Sequence, residues 1–378
     1  MAVTVGLDVV LEEPGPLAGK RIGLITNATA INRDWRHIVD LFRQDTRWEL
    51  RALFAPEHGF RGAATGEVGH ARDPVTGLPV YSLYGKTRRP TPEMLEGLDA
   101  LVFDVQDAGV HFYTYESTMA YAMEEAARHE LLFVVLDRPN PIGGHKVEGP
   151  VVEEGFTSFA GAYPGIPIRH GLTIGELARY VNEEHHLGAR LWVVPMRGWR
   201  RTMWYDETGL PIWVMPSPGM PTLHTATVYP GTGLLEGSNL SEGRGTTRPF
   251  ELVGAPYVRP EEFASYLNAR GLEGVVFRPV EFVPQWGKYA GEAVGGVQVH
   301  VVDRERFDAV SAGLEILVAA KALYPGQLQT HAYLDELAGN GWIRQGIESG
   351  LPVRALRERW EPGLAAFLER RRRSLLYQ

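Results

Sequence analysis

Four short apolar runs punctuate the first part of the chain: RIGLITN (21–27), LRALFAP (50–56), ALVFDVQD (100–107) and LLFVVLDRPNP (131–141). Each is continuous rather than alternating and is flanked by turn residues, the pattern of a strand buried on both faces of a parallel sheet. Between them, residues 35–42 and 115–129 place apolar side chains at helical spacing. Strands alternating with helices predict βαβ units, and in open sheets of this kind ligands collect beyond the carboxyl ends of the strands. That rule sets Asn27, Glu57, His58, Asp104, Gln106, Asp107, Asp137, Arg138 and Asn140 on one polar rim.

Beyond residue 140 the texture changes. Glycine and proline are dense over 143–171 and again over 216–260, which predicts long shaped loops. Helical spacing returns at 173–185 and 260–270, while 190–196 and 295–303 alternate like strands. The pattern predicts an α/β protein of two parts, a parallel-sheet domain over 1–250 and a smaller α/β domain over 251–378, divided near TTRPFELVGAP.

A chain of 378 residues with 44% hydrophobic and 22% charged residues suits a folded protein throughout. Its net charge of −8 opposes nonspecific attraction to nucleic acid, and the one dense basic run, 370–373, falls in a helical pattern and is expected to be a solvated face. No cysteine is present, so disulfides, thiolate nucleophiles and thiolate metal sites are excluded. No stretch reaches the ~18 uninterrupted apolar residues of a membrane span. The first residues carry early acidic groups without the basic and apolar order of a signal peptide, so the chain as written is expected to be cytoplasmic.

Several catalytic signatures fail on spacing. GTGLLEG (231–237) has three residues between its last two glycines and no preceding strand, unlike a dinucleotide fingerprint. Asn239 stands where a nucleophile elbow around Ser241 needs glycine. His185 and His186 are adjacent, without the helical spacing of a zinc pair. A metal-dependent phosphoesterase using His58, Asp104 and Asp107 remains as an alternative.

Carboxylates in glycine-rich or strand-end loops stand out instead, the setting in which glycosidases hold a general acid beside a base or nucleophile. Glu57 follows an apolar strand, and Gly59 and Gly62 would let substrate approach the backbone. Glu242 lies in a loop of glycines and hydroxyls, and Glu236 in the same loop could replace it. Glu176 is a fourth candidate, although Thr173 and Glu176 have the spacing of a capping box, a structural duty. Asp104, Gln106 and Asp107 precede the aromatic run that holds Tyr113 and Tyr115, on which a sugar's apolar face can stack, although such rings also pack under helices. Arg138 and Asn140, stiffened by Pro139 and Pro141, could bind sugar hydroxyls or brace their turn.

The segments APEHGFRG (55–62), FDVQDAGVHFYTYEST (103–118), LDRPNP (136–141), VEGP (147–150), RHGLTIGELA (169–178), PSPGMPT (216–222) and YPGTGLLEGSNLSEGRGTTRPFE (229–251) resemble, in order, the blocks of the exo-β-N-acetylmuramidase family. The ending RRRRSLLY (370–377) is similar too, so the resemblance covers almost the whole chain. It implies a Rossmann-like lobe with a smaller C-terminal lobe, a cleft between them, and removal of N-acetylmuramic acid from the non-reducing end of peptidoglycan fragments. Disaccharides or muropeptides from peptidoglycan are then the expected partners, with no cofactor and no metal. Glu57 matches the family's catalytic glutamate, and His170 and Asn239 fall within matching blocks. His111 and Gly219 stand where the pattern has Arg and Asn. Family members are often exported.

An exo-enzyme of this type must read the lactyl carboxylate of its sugar. Arg61, Arg138, Arg169, Arg244 and Arg248 are the candidate readers, since a guanidinium binds a carboxylate through two parallel hydrogen bonds. A noncatalytic sugar-binding protein on the same scaffold is the other alternative.

Overall fold

Each of the four continuous apolar runs becomes an inner strand of one sheet. The computed structural model describes residues 2–61 and 69–378. The strands are β1 (Arg21–Thr26), β2 (Glu49–Ala55), β3 (Ala71–Arg72), β4 (Pro79–Ser82), β5 (Ala100–Asp104), β6 (Leu132–Leu136), β7 (Glu148–Val151), β8 (Pro167–Arg169), β9 (Arg190–Val194), β10 (Leu252–Ala255), β11 (Val275–Phe282) and β12 (Val294–Val301). Seven of them form a sheet in the order β3-β4-β2-β1-β5-β6-β9, parallel except where β3 pairs with β4. Its six parallel strands, counted along the chain, stand in the order third, second, first, fourth, fifth, sixth, which is the doubly wound Rossmann order.

Strand periodicity divides the core. On β5, Ala100 and Val102 face a layer with Val10 of helix Gly6–Glu12 and Phe42 of helix Ile38–Gln44. Leu101 and Phe103 face the opposite layer, with Met119 and Met123 of helix Thr114–Arg128 and Leu177 and Val181 of helix Ile174–Glu184. The expected helix at 35–42 begins later, at Ile38, because Trp35 takes a left-handed φ of 66° and the His37 ring accepts the Val39 N–H as the cap.

Strands β10, β12 and β11 form an antiparallel sheet in that order. Phe263 and Leu267 of helix Pro260–Asn268, with Leu314 and Leu317 of helix Ala309–Leu323, share a core with Phe277, Val297 and Val299 of this sheet. Helix Leu223–Thr232 crosses Ala309–Leu323 at two glycines: a Cβ on Gly231 would stand 1.8 Å from the Ala309 carbonyl oxygen. The approach is so close that only glycine allows it. Apolar packing runs from the large sheet into this second part without a break.

The C-terminal helix Val353–Arg370 packs back along β7, where a Cβ on Gly363 would lie 3.2 Å from Val151. The basic run after it departs from the expected solvated face at Arg371, which is buried and donates to the carbonyls of His170 and Gly171. Tyr377 then donates to Asp137 at 2.5 Å and accepts from the Met196 N–H at 2.9 Å, tying the end of the chain to the rim after β6. No described helix is long and apolar enough to cross a membrane.

Candidate active site

The topological switch point of a doubly wound sheet lies between its first and fourth parallel strands, here β1 and β5. In this protein it is filled. Arg138 is buried against Asp104, with Nη2 at 3.0 Å from Oδ2, and also donates to the Ile31 carbonyl at 3.2 Å. With Tyr205, Leu210 and Ile212 drawn over it, a cavity of only about 20 Å3 remains. The open chamber lies to one side, beyond β2 and β4.

Its volume is about 360 Å3, and Glu57, His58, Tyr113, Tyr115, Glu236 and Arg244 are among the residues lining it; small-molecule clefts span roughly 300–1,000 Å3. After β2 the chain makes a tight turn closed by the Gly59 N–H on the Pro56 carbonyl at 3.0 Å. His58 and Gly59 have φ of 69° and 73°, and a non-glycine residue held in the left-handed region marks a turn whose shape is enforced by its surroundings. Glu57 is presented at the apex. The Thr114 hydroxyl, at the start of helix Thr114–Arg128, donates to Glu57 Oε2 at 2.6 Å. Tyr115 donates to the Pro216 carbonyl and stands 3.5 Å from that of Glu57, linking three segments of the wall.

The opposite wall belongs to the glycine-rich loop. The 3-10 turn Gly233–Gly237 carries Glu236, and a Cβ on Gly237 would be 2.5 Å from Leu334, so this turn lies hard against the short helix Tyr333–Ala338. Arg244 Nη2 stands 3.2 Å from both Glu236 carboxylate oxygens, and its guanidinium lies 5.0 Å from the centre of the Phe250 ring. The rings of Phe112, Tyr113, Tyr229 and Phe250 meet edge-on around them, with Tyr229 central at 5.3, 5.9 and 4.7 Å from the other three.

Burial raises the Glu236 carboxyl above the ordinary range; Arg244 opposes the shift and the like charge of Glu242 adds to it. Glu236 is hemmed in by Tyr229, Tyr333 and Arg244. Burial also raises the hydroxyls of Tyr113 and Tyr229, so both are neutral at physiological pH.

The structure sorts the expected residues by what they touch. Glu242 does not line the chamber: it is buried behind Arg244, with Lys288 Nζ at 2.9 Å from Oε2 and Arg244 Nε at 3.6 Å from Oε1. Glu176 lies elsewhere, closing the capping box with Thr173 and pairing with Arg201 at 2.7 Å. Gln106 donates to the Pro139 and Asp107 carbonyls, and Asn140 to that of Leu172. Arg169 is buried on Glu148 and the Ile142 carbonyl. Asn239 donates to the Gln327 carbonyl and accepts from Tyr257 and the Gln329 N–H. Arg61 pairs with Asp73 at 2.8 Å and Arg248 with Glu251 at 3.2 Å. Gly62 lies outside the described residues.

His58, Asp104 and Asp107 are not gathered as metal ligands; among the described residues the one such group is Asp107, Glu116 and His170, all buried. Because His170 Nδ1 accepts the Leu172 N–H at 3.0 Å, its proton is on Nε2, donated to Glu116 at 2.7 Å. Burial raises both carboxyls of this cluster and lowers His170 to about 4. It is a hydrogen-bonded core network beneath the aromatic wall.

Sequence reasoning missed Tyr84, Thr114, Ser217, Tyr229 and Tyr333, all on the chamber wall. Thr114, Ser217 and Tyr229 do lie within the matched segments, but Tyr333 comes from a helix with no local signal.

Models of the exo-beta-N-acetylmuramidase NamZ match in two parts, the N-terminal one over residues 22–224 and the C-terminal one over 227–377. The chain is 49% identical, over 99% of its own length and 91% of the other's, to the peptidoglycan beta-N-acetylmuramidase NamZ of Bacillus subtilis. Crystal structures of two DUF1343 family proteins of Bacteroides fragilis are similar throughout. One has a TM-score of 0.93 at 40% identity, covering 100% of this chain and 99% of that one. The other has 0.81 at 28%, with the same coverage.

Proposed function

Because the chain belongs to the exo-β-N-acetylmuramidase family of glycoside hydrolases, we propose that it removes N-acetylmuramic acid from the non-reducing end of peptidoglycan-derived disaccharides and muropeptides, with Glu57 and Glu236 as its acid/base pair. The observation that carries this reading is that these two glutamates line one chamber of sugar size, in different surroundings. Glycosidases separate the roles of two carboxyls by environment, and the one whose pKa is raised keeps its proton. Glu236, raised by burial, is therefore the proton donor and Glu57, oriented by Thr114, its partner.

Arg244 is the reader of the lactyl carboxylate. Of the five candidate arginines it alone lines the chamber, where its side chain is one-third exposed, and a guanidinium can bind a carboxylate through two parallel hydrogen bonds.

The test is release of N-acetylmuramic acid from the disaccharide in which it precedes N-acetylglucosamine, with and without chelator. Release unaffected by chelator is expected. Binding without turnover would replace this reading with the sugar-binding one, and loss of release on chelation would overturn the metal-independent mechanism.

A further inference from the structure

Beside the chamber lies a second depression, of about 430 Å3, lined by His58, Pro218, Gly219, Arg244 and Trp286. His58 and Arg244 line both cavities, so the two adjoin across side chains that stand 4.0 Å from the Glu57 carboxylate and 3.2 Å from that of Glu236. Trp286 is 55% exposed. An indole left open to solvent forgoes a large gain from burial, and at the edge of a sugar-sized depression it offers a flat apolar face.

The backbone that carries Trp286 is also held in place before any ligand arrives. The Gln285 N–H donates to the Gly245 carbonyl at 2.8 Å. Gly245 has φ of 83°, and a Cβ there would fall 2.2 Å from the Trp286 carbonyl oxygen, so the two backbones meet where only glycine fits. Two residues on, Lys288 donates to the carbonyls of Leu235 and Leu240 at 3.0 and 2.9 Å and pairs with Glu242. Tyr289 donates to the Asn239 carbonyl at 2.7 Å. The segment that carries Trp286 is thus clamped to the loop that carries Glu236 and Arg244, and the backbone from which the indole projects keeps its position relative to them.

We infer that Trp286 is the stacking platform for the leaving-group sugar, the β-linked N-acetylhexosamine next to the terminal residue. This rests on the exo-hydrolase reading above. If the terminal sugar fills the chamber with its glycosidic bond between Glu57 and Glu236, the next ring must leave through the adjoining side, past His58 and Arg244. Pyranose rings present an apolar face of C–H groups, and such a face stacks on an exposed indole. Trp286 would thereby select substrates by the leaving group beyond the cleaved bond and leave recognition of the terminal sugar to the chamber.

The experiment compares two substrates of the same terminal sugar, the N-acetylmuramic acid–N-acetylglucosamine disaccharide and N-acetylmuramyl β-fluoride, whose leaving group has no surface to stack. The ratio of kcat/KM for disaccharide over fluoride is measured in the wild type, Trp286→Ala and Trp286→Phe. Loss of an aromatic contact of this size should lower the ratio about tenfold or more in the alanine variant, with most of it recovered by phenylalanine. An unchanged ratio in Trp286→Ala, or equal losses on both substrates, overturns the platform. A wild type that cleaves neither substrate overturns the hydrolase reading itself, and the platform with it.

Discussion

The Thr114 hydroxyl donates to Glu57 Oε2 across 2.6 Å, joining the first turn of a helix to the turn after β2. The two residues are 57 positions apart in the chain. The bond fixes one oxygen of the carboxylate and leaves the other directed at the chamber and at His58, whose Nε2 is 4.0 Å away. Orientation of this kind is what an acid/base group needs, since a small misplacement of the reacting oxygen costs rate.

Glu57→Gln keeps the shape of the side chain and removes its proton transfer. Its kcat should fall by about 10²–10⁴-fold or more, with substrate binding retained. Thr114→Val, which removes only the orienting bond, should cost about tenfold. Steady-state kinetics with a chromogenic glycoside measure both, and near-normal turnover in Glu57→Gln would remove this residue from the mechanism.

The raised carboxyl of Glu236 gives the alkaline limb of the pH profile its origin: the donor is active while protonated, so kcat/KM declines as pH rises through its pKa. Glu242 adds to that upward shift through like charge. Glu242→Gln should therefore move the limb to lower pH. Glu236→Gln should abolish it together with most of the activity. A limb that stays in place in Glu242→Gln would show that Glu236 is not the group being titrated.

Selectivity should reside in Arg244. A charged hydrogen bond contributes about 1.5–3 kcal/mol, so a glycoside of N-acetylglucosamine, which lacks the lactyl carboxylate, should be cleaved at least ~10-fold less efficiently than the matched N-acetylmuramic acid glycoside. Arg244→Gln should erase most of the difference. Equal kcat/KM for the two glycosides in the wild type would show that no arginine reads the lactyl group.

Arg138 should matter to stability rather than to substrate. Arg138→Met leaves Asp104 buried without its partner, at a cost of about 3–5 kcal/mol, whereas removing both charges with Asp104→Leu should restore much of the loss. Urea unfolding of the single and double variants measures this. A single variant as stable as the wild type, with a raised KM, would place Arg138 in substrate binding after all.

Much of this arrangement was legible in the chain. Continuous apolar runs identified β1, β2, β5 and β6 because a strand buried on both faces has no polar side to interrupt it, and the carboxyl-end rule pointed to Glu57 at once. Of the ordered segments that resemble the family, 55–62, 103–118, 216–222 and 229–251 supply residues of the chamber wall. Which polar side chains face the chamber and which brace it was decided only by tertiary structure. Glu236 and Glu242 share one loop, but the turn of Glu236 docks on Leu334 and faces the chamber, while Lys288 captures Glu242 behind it. Arg138 and Arg244 are equally plausible readers of a carboxylate until the first is seen buried on Asp104 and the second lining the chamber. Local spacing determines which element a residue joins. The partner it meets there is supplied by segments tens to hundreds of residues away, and it is that partner which sets a side chain's charge, its direction and its work.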